Sequence, residues 1–372
     1  MAEPKVAIVC DWLTNMGGAE RVVLALHEAF PKAPIFTSVF TPKTMPLFSG
    51  LDVRTTYLQK LPSVVRGKHQ LFPLQRAQAF RKLDLSEYDV IISSSSAEAK
   101  AIVKRPDAVH ICYCHTPTRY YWSHYKEYVA SPGFGPLNPA VRVALPALVK
   151  VMRKMDLKAV AGVDYFIANS SAVADRIKKY YDHESTIIYP PVDMKRFRGL
   201  DVTGERKGFV ALGRQVPYKR FDIAVEACSR LGLPLTVYGT GPDHKRLVSM
   251  AGPTVRFVEG ASDKQVAKAL THAAGYIFPQ EEDLGITQIE AVAAGCPVIA
   301  FAKGGALDIV IEGKTGIFFD RQNSESLSAA LVRFKALKFP PKLLQKYAEQ
   351  FSEEQFVKQM HEFVKTHKTP AK

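Results

Sequence analysis

The sequence lacks the features that mark several classes of protein. No stretch of its 372 residues approaches the roughly 20 consecutive apolar residues of a membrane-spanning helix. Its N-terminus, MAEPKVAIVC, leads into a predicted strand without the pattern of a signal peptide. It contains no low-complexity tract and no short-period repeat, which argues against a solenoid. We therefore expect a cytoplasmic protein built from ordinary globular domains.

Cysteines are few and odd in number. All five fall in predicted strands or core helices, and they lack the spacing of a metal site. They are Cys10, Cys112, Cys114, Cys228 and Cys296. The expectation is therefore core thiols in a reducing compartment, with no protein-bound metal.

Acidic residues are missing from one long segment, although the chain as a whole carries both signs of charge. The net charge is +14, and the stretch from Val53 to Leu83 has seven bases and no acid. Apolar side chains alternate with these bases, so residues 54–82, here called the basic segment, predict a surface that meets anionic lipid or a pyrophosphate. A solvated basic face is the alternative. Nucleic acid is not expected, because no nucleic-acid motif accompanies the charge.

Strands and helices alternate along the whole chain, which predicts an α/β fold with parallel sheets. The length of the chain and its hydrophobic content of 47% are sufficient for two hydrophobic cores. The pair Pro190-Pro191 must interrupt regular structure between seven predicted strands and six more, so we place a domain boundary there. The predicted divisions are residues 1–190, residues 191–350, and a C-terminal helical segment over residues 351–372 that packs back.

The stretch YIFPQEEDLGITQIEAVAAGCPVIA is the most informative. It predicts a strand, an acidic loop, a helix and a second strand, with Glu282 in the loop and Glu290 in the helix. The free N–H groups of Gly285, Ile286 and Thr287 lie between them, at a helix end that attracts anions. Two carboxylates on either side of an anion site indicate a phosphorylated, hydroxyl-rich ligand such as a sugar nucleotide. The alternative is an unrelated loop acid and a polar helix residue.

Two groups of residues in the first half of the chain lie where ligand-binding residues are expected. In an open parallel sheet, ligands bind outside the carboxyl ends of the strands, and His115 directly follows a predicted strand. Arg119 and its aromatic neighbours are then placed to line an acceptor groove. Gly17-Gly18 opens a helix whose N–H groups can face a phosphate or a sugar. A structural histidine and a plain tight turn are the alternatives, and the G-x-G-x-x-G dinucleotide motif is absent.

The second half of the chain contains two similar groups of candidate ligand-binding residues. Arg214 and Lys219 follow a predicted strand, where two cations can neutralise a diphosphate leaving group. Gly239 and Gly241 follow the next strand and predict a loop whose backbone approaches a ligand. The alternative for Arg214 and Lys219 is that they are two solvated cations of the surface.

Together these motifs resemble glycosyltransferase family 4, the retaining transferases of the GT-B fold. The resemblance covers nearly the whole chain and rests on GGAERVV, HTP, IANSSAVADRI, YPPVDMKRF, GR-x4-K, YGTGP and E-x7-E followed by AVAAGCPVIA. It implies two Rossmann-like domains facing a central cleft, the first binding the acceptor and the second the nucleotide sugar, with C-terminal helices crossing back to the first. The runs CYCHTPTRYYW and EEDLGI more narrowly resemble O-antigen and exopolysaccharide mannosyltransferases that use GDP-mannose.

The resemblance also implies a role for each candidate residue of the second half. Arg214 and Lys219 would hold the donor diphosphate, and Glu290 would bind the ribose hydroxyls. The helix start at Gly285–Thr287 would take phosphate oxygens, and Glu282 would contact the transferred sugar. No cofactor is implied, since the nucleotide sugar is the substrate and the chain has no Asp-x-Asp metal motif.

In the first half, the resemblance implies that His115 contacts the donor sugar and that Gly17-Gly18 lies at the phosphate and acceptor. The implied partners are a nucleotide sugar and a glycan or polyprenyl-linked acceptor, with peripheral binding to the inner face of the cell membrane through the basic segment. Leu284 stands where many relatives carry Phe, and Gln288 where many are apolar. Two alternatives stay open: a catalytically silent sugar-nucleotide-binding homologue, and a sugar-nucleotide epimerase of the GT-B fold.

Overall fold

The computed structural model of the protein describes residues 4–67, 72–123, 125, 129, 138–202 and 204–370. The chain divides into two compact units. The first unit consists of Met1–Pro190 and Phe356–Lys372, and the second unit consists of Pro191–Gln355. Each unit is built around its own parallel sheet.

The first unit contains a seven-stranded sheet in the order β3-β2-β1-β4-β5-β6-β7. Its strands are Val6–Cys10 (β1), Ile35–Thr37 (β2), Val53–Thr55 (β3), Val90–Ser95 (β4), Val109–Cys114 (β5), Tyr165–Ala168 (β6) and Ser185–Ile187 (β7). All neighbouring strands are parallel, and Ile8 of β1 is paired with Ile35 on one side and Ile92 on the other. The central strands β1, β4 and β5 are buried along their whole length, as parallel strands covered on both faces must be.

Helices pack on this sheet and supply much of its core. They are Gly18–Ala29 (α1), Ser63–Arg66 (α2), Pro73–Arg81 (α3), Asn138–Val160 (α4) and Ser171–Tyr181 (α5). The last helix of the chain, Glu353–Thr366 (α13), also contributes: Phe356, Met360 and Phe363 are buried in the core of the first unit. The ring of Phe356 meets the ring of Tyr113 edge-on, with centroids 5.8 Å apart. The apolar stripe of the C-terminal segment is therefore used for packing.

The second unit contains a six-stranded parallel sheet in the order β10-β9-β8-β11-β12-β13. Its strands are Phe209–Leu212 (β8), Leu235–Tyr238 (β9), Val255–Val258 (β10), Gly275–Phe278 (β11), Val298–Phe301 (β12) and Gly316–Phe319 (β13). Its helices are Phe221–Arg230 (α6), His244–Met250 (α7), Asp263–His272 (α8), Ile286–Ala293 (α9), Ala306–Ile309 (α10), Ser324–Phe334 (α11) and Pro341–Ala348 (α12). Short 3₁₀ turns occur in both units, at Pro42–Thr44, Pro46–Phe48, Tyr57–Lys60, Met194–Arg196, Pro217–Lys219 and Glu349–Phe351.

The α/β fold with parallel sheets is confirmed, and each of the thirteen predicted strands is present. Strands β2 and β3 are shorter than the spans Ile35–Phe40 and Val53–Tyr57 that the sequence predicts. β2 ends at Thr37 and not at Phe40, and β3 ends at Thr55 because Thr56 begins a 3₁₀ turn, where its hydroxyl accepts the Leu58 N–H at 3.3 Å. The five cysteines are free and buried, as expected of core thiols.

The basic segment is not a continuous basic surface, which corrects part of the prediction made for it. Arg76 is buried, only 1% exposed, and pairs with the buried Glu98 at 2.7 Å. Burial raises the pKa of Glu98, and the Arg76 guanidinium opposes that rise. Arg81 and Lys82 are exposed, whereas Lys68 lies outside the described residues. Arg76 was predicted at the surface because helix α3 is short and its polar residues do not distinguish the buried side.

No helix among the described residues is long and apolar enough to cross a bilayer.

We predict that Arg76→Met lowers the free energy of unfolding of the first unit by about 3–5 kcal/mol, because it leaves the Glu98 carboxylate buried without its cation. Arg81→Met, on the same helix but exposed, is the matched control and should change it by less than about 0.5 kcal/mol. Both tryptophans, Trp12 and Trp122, belong to the first unit, so fluorescence-monitored urea unfolding reports on that unit. Equal effects of the two substitutions would contradict the buried ion pair.

Candidate functional site

Most of the candidate residues of the second unit lie at one edge of its sheet. Strands β9, β8, β11 and β12 are neighbours and parallel, so the loops that follow them meet at the carboxyl edge. Arg214 and Lys219 follow β8, Gly239 and Gly241 follow β9, and Glu282 follows β11. The sheet topology thus brings together residues that are up to 68 positions apart in the chain (214 to 282).

Lys219 and Glu282 form an ion pair at this edge. The Lys219 Nζ atom lies 2.9 Å from Glu282 Oε1, and the two side chains are 15% and 23% exposed. Gly213 makes room for the lysine, because a Cβ at that position would lie 3.1 Å from Nζ. The predicted phosphate-binding cation and the predicted sugar-binding carboxylate are therefore in direct contact. Arg214 lies in the same loop with its side chain exposed to solvent.

Glu290 is paired with a cation that the sequence analysis did not identify. Arg196, at the end of the 3₁₀ turn Met194–Arg196, places its Nη1 atom 2.8 Å from Glu290 Oε1. The two side chains are 19% and 14% exposed, so this is a largely buried pair. The Arg196 guanidinium also lies 3.6 Å from Asp263 at the start of α8. Since Arg196 and Glu290 are 94 positions apart in the chain and four strands lie between them, no local pattern points to this contact.

The buried Tyr276 is bonded to the first turn of the helix that carries Glu290. Tyr276 lies on β11 and is buried, and its hydroxyl donates to Thr287 Oγ1 at 2.8 Å. Burial raises its pKa, and the negative charges of Glu282 and Glu290 raise it further.

Helix α9 begins directly after the acidic loop. Its first residue is Ile286, and Gly285 precedes it with φ of +84°, a left-handed conformation that favours glycine. A Cβ on Gly285 would lie 2.6 Å from the ring of Phe278, so the loop can turn into the helix here only with glycine. Ile286 and Thr287, which supply free N–H groups in the first turn, are half-buried. Leu284 is buried against this turn, and the amide of Gln288 donates to the Leu284 carbonyl at 3.0 Å.

Gly239 and Gly241 allow the loops after β8 and β9 to approach each other closely. A Cβ on Gly239 would lie 2.2 Å from the carbonyl oxygen of Gly213, and one on Gly241 would lie 2.3 Å from that of Gln215. The loops after β8 and β9 thus pack backbone against backbone. The buried Gln215 joins them: its N–H donates to the Thr240 carbonyl at 2.9 Å and its amide donates to the Gly239 carbonyl at 2.6 Å. These glycines position the loop of Arg214 and Lys219.

In the first unit, His115 lies where the sequence predicts it, directly after β5. Its Nε2 atom is 2.8 Å from the hydroxyl of Ser94 on the neighbouring strand β4, and its ring meets that of Tyr113 edge-on. Asn169 donates to the His115 carbonyl at 3.0 Å. The histidine is half-buried, with its ring bonded to Ser94 and its backbone carbonyl bonded to Asn169. Arg119, half-buried, lies in the loop that follows.

The start of helix α1 is occupied by a carboxylate of the chain itself. Gly17 caps the helix with an extended backbone, φ −153°, and Gly18 is its first residue. The Glu20 carboxylate lies beside Gly17, where a Cβ would be 2.9 Å from its Oε2 atom, and the backbone N–H groups of Glu20 and Gly17 face it. Burial raises the pKa of Glu20, and these N–H groups lower it. An anionic ligand at Gly17-Gly18 must therefore compete with Glu20, which the sequence analysis did not anticipate.

A second carboxylate orders the same edge of the first unit. Asp11, directly after β1, accepts backbone N–H groups from Ser96 at 2.7 Å, Ala97 at 3.0 Å and Ala99 at 2.7 Å. It therefore ties the loop after β1 to the loop after the adjacent strand β4. Within the described residues, no three His, Cys, Asp or Glu side chains are grouped so as to hold a metal ion.

Comparison with known families agrees with this architecture. The sequence model "Glycosyltransferase Family 4" matches residues 16–196, and the model "Glycosyl transferases group 1" matches residues 195–354. The chain belongs to glycosyltransferase family 4. The resemblance to this family is thereby confirmed, and the chain is a nucleotide-sugar-dependent glycosyltransferase.

Curated relatives carry related descriptions. A D-inositol 3-phosphate glycosyltransferase of Nocardioides sp. is 27% identical over 371 aligned positions, covering 86% of this chain and 78% of the relative. A phosphatidyl-myo-inositol mannosyltransferase of Propionibacterium freudenreichii is 32% identical over 219 positions, covering 53% and 55%. A GDP-mannose-dependent alpha-(1-6)-phosphatidylinositol monomannoside mannosyltransferase of Mycobacterium tuberculosis is 29% identical, covering 50% and 55%. The alignments with the last two span about half the length of those proteins.

Solved structures share the fold. HepE of Anabaena, crystallised with UDP-glucose, is similar with a TM-score of 0.65 and 18% identity, covering 98% of this chain and all of that one. The lipopolysaccharide outer core galactosyltransferase WaaB has a TM-score of 0.68 and 16% identity, covering 97% and 99%. At these identities the similarity establishes the fold, which confirms the GT-B class.

We predict that Arg196→Gln raises the Kd for GDP roughly tenfold, because a charged hydrogen bond to Glu290 contributes about 1.5–3 kcal/mol and positions that carboxylate. The turnover number at saturating donor should change little, since ribose contacts are the same in the ground and transition states. Calorimetric titration with GDP measures the first quantity.

Lys195→Gln is the matched control, because Lys195 is the exposed neighbour of Arg196, and Arg196→Lys should restore part of the affinity. Wild-type GDP affinity in Arg196→Gln would show that Arg196 does not support nucleotide binding.

Proposed function

We propose that the chain is a retaining, metal-independent transferase that moves mannose from GDP-mannose onto a glycan or polyprenyl-linked acceptor in cell-surface polysaccharide synthesis. The observation that carries the proposal is the Lys219–Glu282 ion pair, 2.9 Å long, beside the N-terminus of helix α9. Relatives described as mannosyltransferases, one of them GDP-mannose-dependent, support the choice of donor.

The pair suits a site whose ligand carries both charge and hydroxyl groups. A diphosphate brings negative charge that Lys219 can accept in place of Glu282, and the released Glu282 carboxylate can then accept hydrogen bonds from sugar hydroxyls. As the sugar–phosphate bond breaks, charge grows on the departing diphosphate, and Lys219, Arg214 and the N–H groups at Gly285–Thr287 are the groups assigned to meet it. In the unbound protein, the Glu282 carboxylate compensates the charge of the half-buried Lys219.

The ribose is assigned to Glu290, held by Arg196 at 2.8 Å. A carboxylate fixed by an arginine on one side can still accept from two vicinal hydroxyls on the other, since each of its oxygens has two lone pairs. Glu290 is therefore assigned to bind the nucleoside end of the donor, and Glu282 to bind its sugar end.

The first unit is assigned to the acceptor and the transferred sugar. His115 is the group assigned to the donor sugar, Arg119 to the acceptor, and Gly17-Gly18 to the phosphate and acceptor. The ring of His115 is oriented by the Ser94 hydroxyl, 2.8 Å from its Nε2 atom. Retention of configuration then follows from attack on the face that the diphosphate leaves, with a phosphate oxygen taking the acceptor proton.

We predict that Lys219→Ala and Arg214→Ala each lower kcat by roughly 10²–10³-fold at saturating GDP-mannose, because the charge they meet develops in the transition state. Lys245→Ala removes an exposed lysine of helix α7 in the same unit and should leave kcat near the wild-type value. Thermal unfolding of each variant checks that the fold is retained. If Lys219→Ala turns over like the wild type, the leaving-group role is wrong.

The donor is tested by comparing GDP-mannose with UDP-glucose and UDP-N-acetylglucosamine, first by thermal shift and then by transfer to lipid-linked acceptors. We expect the largest stabilisation, and mannosyl transfer, with GDP-mannose. Incubation of each donor alone separates the alternatives, because an epimerase returns an isomerised donor without any acceptor. Binding of GDP-mannose without transfer or isomerisation would indicate a silent binding protein.

A further inference from the structure

Arg220, the residue directly after Lys219, has a backbone conformation that residues other than glycine rarely adopt. Its φ is +51° and its ψ is +35°, in the left-handed region. The Cβ atom crowds the following carbonyl oxygen in this conformation, so it is costly for an L-residue. Among the described residues other than glycine, Asp182 alone shares a positive φ, and aspartate is one of the side chains that tolerate it.

The left-handed residue turns the chain from the 3₁₀ turn Pro217–Lys219 into helix α6. The Arg220 N–H donates to the Pro217 carbonyl at 3.1 Å and closes that turn. The chain thus changes direction directly after Lys219, and the lysine side chain runs back along Gly213, where a Cβ would lie 3.6 Å from Lys219 Cδ. The dihedral angles of Arg220 therefore help to determine where the lysine ends.

The guanidinium of Arg220 contacts two side chains of different elements. Its Nε atom lies 3.2 Å from Asp222 Oδ1 and its Nη2 atom 3.3 Å from Asp222 Oδ2, so arginine and carboxylate meet as a fork. Its Nη1 atom lies 3.5 Å from Oε1 of Gln322, which follows β13. The Gln322 amide in turn donates to the Pro279 carbonyl at 2.9 Å, directly after β11. The guanidinium therefore connects the loop after β8 to the strand that leads into the acidic loop.

The two members of the Lys219–Glu282 pair are thereby connected by a second route. Lys219 is bonded to Arg220 through the backbone, and Glu282 follows Pro279 by three positions. This route does not use the charges of the pair, so it persists when a ligand separates the lysine from the carboxylate.

The turn by itself does not require an arginine. Glycine adopts a left-handed conformation without strain, so a glycine at position 220 would make the same change of direction. What the arginine adds is the fork to Asp222 and the contact with Gln322. Strained conformations of this kind persist where surrounding contacts hold them, and they cluster at functional sites.

We propose that Arg220 is a positioning residue for Lys219, and that its contacts with Asp222 and Gln322 hold the lysine in place once the donor diphosphate has replaced Glu282. The inference rests on the leaving-group role proposed above for Lys219. Arg220 acts through the backbone that it shares with the lysine. Loss of its side chain should therefore weaken binding of a diphosphate and leave binding of a nucleoside unchanged.

The test is calorimetric titration of the full chain with GDP, which carries the charge of the departing diphosphate, and with guanosine, which lacks it. Arg220→Gly keeps the left-handed backbone and removes the guanidinium. It should raise the Kd for GDP about fivefold, as expected for hydrogen bonds at a partly exposed group, and change the Kd for guanosine by less than about twofold. Arg220→Lys keeps a cation beside Asp222 and should recover part of the GDP affinity.

A double-mutant cycle shows whether Arg220 acts through Lys219. Lys219→Ala alone should raise the Kd for GDP by about tenfold or more. Adding Arg220→Gly to Lys219→Ala should then change the Kd by less than about twofold, because the lysine that Arg220 positions is already absent. Independent effects would multiply to about fiftyfold.

Two control variants separate the side chain from the backbone. Asp182→Gly makes the same exchange at the other left-handed position, in the first unit, and should leave the Kd for GDP unchanged. Arg220→Ala removes the guanidinium but keeps the strained backbone. It should therefore match Arg220→Gly in GDP affinity and unfold at a lower temperature than that variant.

The proposal is overturned if Arg220→Gly binds GDP as the wild type does while Lys219→Ala binds it weakly, or if the two substitutions multiply. Equal weakening of GDP and guanosine binding also overturns it, because the damage is then general. Wild-type GDP affinity in Lys219→Ala would contradict the role proposed for Lys219 itself, and the role of Arg220 with it.

Discussion

Two adjacent glycines allow the loop after β12 to pack against the acidic loop after β11, and the site depends on this contact. A Cβ on Gly304 would lie 2.4 Å from the Glu282 carbonyl oxygen, and one on Gly305 would lie 2.2 Å from the Leu284 Cα atom. The Gly305 N–H donates to that same Glu282 carbonyl at 2.9 Å. The backbone of Glu282 is thereby fixed between two strands, and its carboxylate can meet Lys219 only because the loop cannot move away. Rigid elements of this kind hold charged groups at catalytic distances at little further entropic cost.

The charges of the second unit are arranged as pairs, and this explains how a concave, charged edge is stable before a ligand arrives. An unpaired lysine or carboxylate at 14–23% exposure would lose hydration without compensation. Pairing Lys219 with Glu282 and Arg196 with Glu290 removes this cost. A nucleotide sugar offers both a diphosphate and hydroxyl groups, so it can replace both partners of the Lys219–Glu282 pair while Arg196 continues to hold Glu290. The first unit follows the same rule, since Glu20 occupies the N–H groups at the start of α1.

Local patterns in the sequence were sufficient for the fold and for much of the site. Buried β-branched runs separated by helical periodicity predict every strand, and the order of the motifs predicts which strand ends carry Lys219, Glu282 and His115. What could not be predicted depends on contacts between distant segments. Arg196 meets Glu290 across 94 positions, and Arg76 is buried only because Glu98 and the aromatic residues beside it enclose the guanidinium. The close packing of the glycines after β9 on the backbone of the loop after β8 also depends on a contact between separate segments.

The central claim is that the carboxyl edge of the second sheet binds the nucleotide sugar by exchanging the Lys219–Glu282 ion pair for contacts with the donor. The most direct measurement is a crystal structure of the protein with GDP. The account predicts that Lys219 Nζ leaves Glu282 and lies within hydrogen-bonding distance of a phosphate oxygen, and that Glu290, still held by Arg196, accepts from the ribose hydroxyls. GDP bound at another edge, or bound here with the Lys219–Glu282 pair intact and the diphosphate remote from both, would contradict it.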